Sequence, residues 1–65
     1  MRKTLREARK ANHLTQAQLG KLVGLKPTAI SALERGQNAG RVTTWEKLAK
    51  VLGVDEMTLR QTTEA

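Results

Sequence analysis

Between Leu14 and Gly36 the chain reads LTQAQLGKLVGLKPTAISALERG, two helical patterns separated by a short gap. Thr15 opens the first as an N-cap. Gln18, three positions on, completes a Thr-x-x-Gln capping box, so hydroxyl and amide each satisfy a backbone N–H that has no intrahelical partner. Ala17, Leu19, Leu22 and Val23 form the apolar face of this helix, and Gly24 stops it. Gly20 within it costs about 1 kcal/mol relative to Ala, which predicts that the next helix passes close by. That helix restarts at Lys26-Pro27-Thr28, where Pro suits a first turn because its missing donor would be unpaired there anyway. Ala29, Ile30 and Leu33 point inward by the 3.6-residue period, and Gly36 follows the last turn. Two short helices are thereby held close at a sharp angle.

The outward side of 27–35 carries Thr28, Ser31, Ala32 and Arg35, with no large apolar group and no carboxylate. Such a face can approach a duplex without repelling its phosphates. The pair has the outline of a helix-turn-helix, in which the second helix lies in the major groove of DNA and the first crosses the backbone above it. Lys26 stands at the N-cap, where Ser or Asp would cap better by roughly 1 kcal/mol. A cation at the mouth of the groove and plain tolerance of a weak cap both account for it.

The net charge is +6, and its distribution is uneven. Arg2, Lys3, Arg6, Arg9 and Lys10 against Glu7 give residues 1–13 a charge of +4. Lys21, Lys26, Arg35 and Arg41 against Glu34 give 14–41 a charge of +3, whereas 42–65 come to −1. The basic charge therefore surrounds the helix pair, as a polyanion-binding face requires, although a basic surface kept for solubility would carry it too.

A chain of 65 residues is expected to form one domain, 1–65, since it buries only about 60% of its unfolded surface and cannot divide into two cores. It has no Cys and a single His, His13, so neither a disulfide framework nor a His- or Cys-built metal site is available. The core must be aliphatic around the lone aromatic, Trp45. No apolar run approaches the ~20 residues that span a bilayer, and no signal-peptide pattern opens the chain, so a cytoplasmic protein is expected. Convergent groups for catalysis are missing. There is no His/carboxylate pair, no Ser beside a base and no phosphate-cradling Gly-rich loop, which predicts a non-enzyme without cofactor or metal.

Outside the helix pair, a first basic helix is predicted over about Arg2 to Ala11, with Leu5, Ala8 and the stem of Arg9 inward and Arg2, Arg6 and Lys10 toward water. Asn12 or His13 provides the turn that ends it. Gln37 to Arg41 reads as a polar loop containing Asn38 and Gly40. Thr43 with Glu46 forms a second capping-box pattern that starts a helix bearing Val42, Trp45, Leu48, Ala49 and Leu52. Gly53 ends it, and Asp55 caps a short last helix through about Gln61 with Met57 and Leu59 available to the core; 62–65 are expected to fray. Glu34, close to the end of 27–35, has Arg9 as its natural partner, either in a partly buried bidentate pair or in a surface pair contributing ~0 to 1 kcal/mol.

Leu5, Arg9, Leu14-Thr15-Gln16, Leu19, Val23-Gly24, Ile30, Leu33-Glu34-Arg35-Gly36 and Leu48-Ala49-Lys50-Val51-Leu52-Gly53-Val54 together resemble the lambda-repressor-like (Cro/cI, XRE-type) helix-turn-helix family of phage and bacterial transcriptional regulators, over roughly residues 2–60. The resemblance implies an all-α, five-helix bundle, an Arg9–Glu34 salt bridge, contacts to backbone and base by Gln16, and base contacts from the outward face of 27–35. It implies a regulator of double-stranded DNA, most often a repressor acting by occlusion. The sequence departs from the family pattern at His13, where Gly is usual, at Gly20, where Ala is usual, and at Lys26, near a usual Ser. Ala32 occupies a place often used for base hydrogen bonding. Ala touches a thymine methyl but donates nothing, so specificity is expected from Lys26, Thr28, Ser31 and Arg35 with shape readout, and Asn38 and Arg41 join the expected DNA-binding set. Two other readings share this sequence: an antitoxin-like protein-interaction module of the same fold, and a basic peripheral membrane binder using the first helix. A salt-dependent shift with duplex DNA separates them. Useful specificity normally needs two copies about one helical turn apart, so a monomer or weak homodimer that pairs on DNA is expected.

Overall fold

Five helices carry the chain, α1 (Lys3–Ala11), α2 (Gln16–Val23), α3 (Pro27–Arg35), α4 (Val42–Leu52) and α5 (Glu56–Arg60), in a computed structural model that describes residues 2–61. The architecture is all-α, as the resemblance implies. Residues 62–65, where fraying is expected, lie outside the described residues.

The boundaries follow local chemistry. Thr15 Oγ1 accepts from the Gln18 N–H at 3.0 Å while Gln18 Oε1 accepts from the Thr15 N–H at 2.9 Å, the reciprocal capping box. Gly24 ends α2 at φ 77°, a left-handed conformation that a side chain would strain, and so turns the chain sharply into α3. Asp55 accepts from the Met57 N–H and caps α5. At the end of α1 it is His13 that takes the left-handed conformation, φ 58°. Asn12 stays right-handed and donates its amide to the carbonyls of Ala8 and Leu52, tying α1 to the end of α4.

Among the described residues, Leu5, Leu19, Ile30, Leu33, Trp45, Leu48 and Leu59 are the largest fully buried side chains, one or two from each helix. Trp45 is at the centre, its indole N–H donating to the Ala39 carbonyl at 3.0 Å. No polar side-chain atom buried among the described residues lacks a partner.

Several sequence expectations are corrected. Arg2 does not face water: it is the residue before α1 and it is buried, because main-chain carbonyls of three distant segments converge on its guanidinium. On α2, Ala17 and Leu22 are exposed; the buried arc runs through Leu19, Gly20 and Val23, and both lie off its edges. Val42 is 59% exposed because the apolar stripe of α4 runs past the end of the core. Met57 is 77% exposed, about 200° around the helix from buried Leu59. Thr43 does not start α4. The helix begins at Val42, with Arg41 as N-cap and no side-chain cap bond, so the Thr43/Glu46 pattern already lies inside it. Finally, the group that crowds Gly20 is the Leu25 carbonyl of the turn rather than α3 itself.

Candidate nucleic-acid interface

Between residues 8 and 45 the sequence contains one carboxylate, Glu34. The fold turns it away from solvent. Its side chain is buried beneath α3, where Oε2 lies 2.6 Å from Arg9 Nε and Oε1 accepts from Arg9 Nη2 at 3.3 Å, a bidentate pair linking α1 to α3. Arg9 Nη1 also donates to the Leu14 carbonyl at 2.8 Å. Gln16, the first residue of α2, donates its side-chain amide to Glu34 Oε1 at 3.1 Å. The charges of Arg9 and Glu34 therefore cancel inside the protein. What remains outside around α3 is cationic or neutral.

A depression of about 300 Å³ lies over this pair, lined by Arg6, Lys10, Gln16, Ser31 and Arg35 together with the two partners. It joins three of the expected contact residues, Gln16, Ser31 and Arg35, on one basic surface. A second groove, about 500 Å³, runs between the α2–α3 turn, the 37–41 loop and α4, and contains Asn38 and Arg41 beside Thr43, Thr44 and Lys47. Lys26, Thr28 and Ala32 line neither. Lys26 and Thr28 are exposed at the start of α3, while Ser31 and Ala32 are half-buried along it. The expected residues thus occupy both ends and the outward side of α3 rather than a single pocket.

Arg6 and Lys10 are the additions that sequence reasoning missed as members of this surface. Their i, i+4 spacing placed them on one side of α1. That this side borders the start of α2 and the end of α3 depends on the Arg9–Glu34 bridge, which sets how α1 lies against α3.

A model of the helix-turn-helix family matches residues 5–59. No match was found among curated proteins or among solved structures. The matched span includes α2, α3, the turn between them and both partners of the buried ion pair. The chain belongs to the Cro/cI-type (XRE) helix-turn-helix family of DNA-binding regulatory domains.

Proposed function

We propose that the chain is a sequence-specific binder of double-stranded DNA that acts as a transcriptional repressor by occluding its operator, with α3 in the major groove. The observation that carries this reading is the removal of Glu34 from a surface otherwise built from Arg6, Lys10, Gln16, Ser31 and Arg35. Thr28 and Ser31 supply hydrogen-bonding groups to base edges, Arg35 reaches a base edge and the adjacent phosphate, and Ala32 touches a thymine methyl. Lys26 and Arg41 neutralise phosphates on either side of the groove, Asn38 adds a backbone contact, and Gln16 spans backbone and base. Such a protein works in the cytoplasm, on the nucleoid when bound.

Lys26→Ala and Arg35→Ala are each expected to weaken binding to a duplex selected from random sequence by roughly tenfold, the ~1–3 kcal/mol range of a single good contact. Both residues are exposed, so helical circular dichroism and the melting point should stay within a degree or two of the parent. No duplex bound at low salt by the parent overturns the reading.

Among the described residues, the exposed large apolar side chains, Leu22, Val42 and Met57, are one each on α2, α4 and α5. That favours weak self-association in solution and cooperative pairing on a roughly palindromic site with half-sites ~34 Å apart. Analytical ultracentrifugation should find monomer or weak dimer without DNA and two chains per selected duplex with it. A tight dimer in the absence of DNA contradicts the proposal, as does one chain per duplex at saturation.

A further inference from the structure

Arg2 is buried, and among the described residues no carboxylate pairs with it. Main-chain oxygens satisfy its guanidinium instead. Nη1 donates to the Leu33 carbonyl at 2.7 Å and to the Asn38 carbonyl at 2.7 Å, and Nε donates to the Arg60 carbonyl at 3.3 Å. The guanidinium carbon sits 5.0 Å from the centroid of the Trp45 ring, within cation–π range. The Arg2 backbone N–H donates to the Glu34 carbonyl at 2.6 Å. Burial, and then the neighbouring charge of Arg60, pull the guanidinium pKa below its ordinary value.

The 37–41 loop hangs from the same assembly. Asn38 offers its carbonyl to Arg2, and Ala39 offers its carbonyl to Trp45, the ring on which Arg2 lies. Gly40 approaches that ring so closely that a Cβ there would meet Trp45 Nε1 at 2.6 Å and Leu33 Cδ2 at 3.1 Å. Its N–H donates to Asn38 Oδ1 at 2.9 Å, which closes the turn. At its start the loop is held by the Gln37 N–H donating to Ala32. One planar fork thus bonds the last turn of α3 and the loop that follows it through the same nitrogen, Nη1.

We infer that Arg2 is a positioning residue for DNA binding: it fixes the 37–41 loop, and with it Asn38 and Arg41, relative to the end of α3. The inference rests on the proposed reading of that loop as part of the DNA interface. Without the fork, the loop keeps its contact with Trp45 but loses its tie to Leu33, and the freedom it gains has to be given up again on binding. Lysine in this place supplies a point charge without the planar geometry, so it restores the tie only in part.

The test uses the full chain with Arg2→Met and Arg2→Lys, at a temperature where circular dichroism shows each variant folded. In the free protein, amide hydrogen exchange at Gln37 and Gly40, whose N–H groups are hydrogen-bonded, should quicken by tenfold or more in Arg2→Met and by less in Arg2→Lys, and by a larger factor than at Leu19 and Ile30 in the core. Affinity for the selected duplex should fall about tenfold. Arg41→Ala should cost less in the Arg2→Met background than in the parent, because Arg2 acts through the loop, whereas Lys26→Ala should cost the same in both. Should Arg2→Met fail to fold, the same comparisons on Arg2→Lys decide. Unchanged loop exchange, exchange raised equally in loop and core, or an Arg41→Ala effect identical in both backgrounds overturns the inference. Absence of DNA binding by the parent would overturn the interface reading alone, since the exchange measurement judges the loop tie without DNA.

Discussion

Glu34→Ala is expected to destabilise the fold by about 3–5 kcal/mol, because it removes one partner of a buried ion pair and leaves the other charge uncompensated. Both side chains are nearly inaccessible, at 11% and 4% exposure, so water cannot take over the role of the carboxylate without opening the α1–α3 contact. Arg9 would retain only the Leu14 carbonyl, and the Gln16 amide would lose its acceptor. For a domain of this size the whole stability is about 3 to 10 kcal/mol, so the loss is a large fraction of it. The melting point by circular dichroism should drop by roughly 15 °C or more. Glu34→Gln retains an acceptor but not the charge, and should fall between. An alanine variant that melts with the parent would show that the Arg9–Glu34 pair is not what holds α1 against α3, leaving apolar packing and the Arg2 bonds to the Leu33 and Glu34 carbonyls.

DNA affinity should depend steeply on salt, and the structure revises how steeply. Residues 1–41 carry a net +7 in the sequence, but Arg2 is buried on carbonyls and Arg9 is neutralised by Glu34. The cations left around α3 are Arg6, Lys10, Lys26, Arg35 and Arg41, all exposed. Five neutralised phosphates give a slope of about −4.5 in log K against log salt, or a roughly 500-fold loss of affinity from 50 to 200 mM. A fluorescence-anisotropy titration of the selected duplex across that range measures the slope directly. Binding that ignores salt sinks the DNA reading. A slope of about −6.3 would mean that Lys3 and Lys21 also reach the backbone.

Much of this architecture was legible because its punctuation is local. Thr15 with Gln18, Gly24, Pro27, Gly36 and Gly53 each act within one turn of chain, and α2 and α3 begin and end where those residues place them. The failures are equally physical. Leu22 lies about 60° from Leu19 on the side away from Val23, so it fits an apolar stripe on paper yet falls outside the arc that meets α3 and α4. The Thr43/Glu46 pattern has the spacing of a cap, but spacing does not say which residue first turns helical. Arg2 was least legible of all. Its partners come from residues 33, 38 and 60, and nothing in its neighbours along the chain distinguishes it from Arg6, which is exposed. Of the residues proposed to meet DNA, Thr28, Ser31, Ala32 and Arg35 were readable as the outward side of one helix; the share of α1 in that surface depends on a tertiary bridge.

The split along α3 also bears on how such a chain can change over generations. Ile30, Leu33 and Glu34 anchor the helix, while Lys26, Thr28 and Arg35 stand clear of the core and make no side-chain hydrogen bond among the described residues. Substitutions at exposed positions of this kind usually change stability by no more than ~0.5 kcal/mol. Drift at these three positions is therefore nearly free of folding cost, and a duplicated copy could acquire a new target preference through a handful of substitutions while inheriting its framework unchanged.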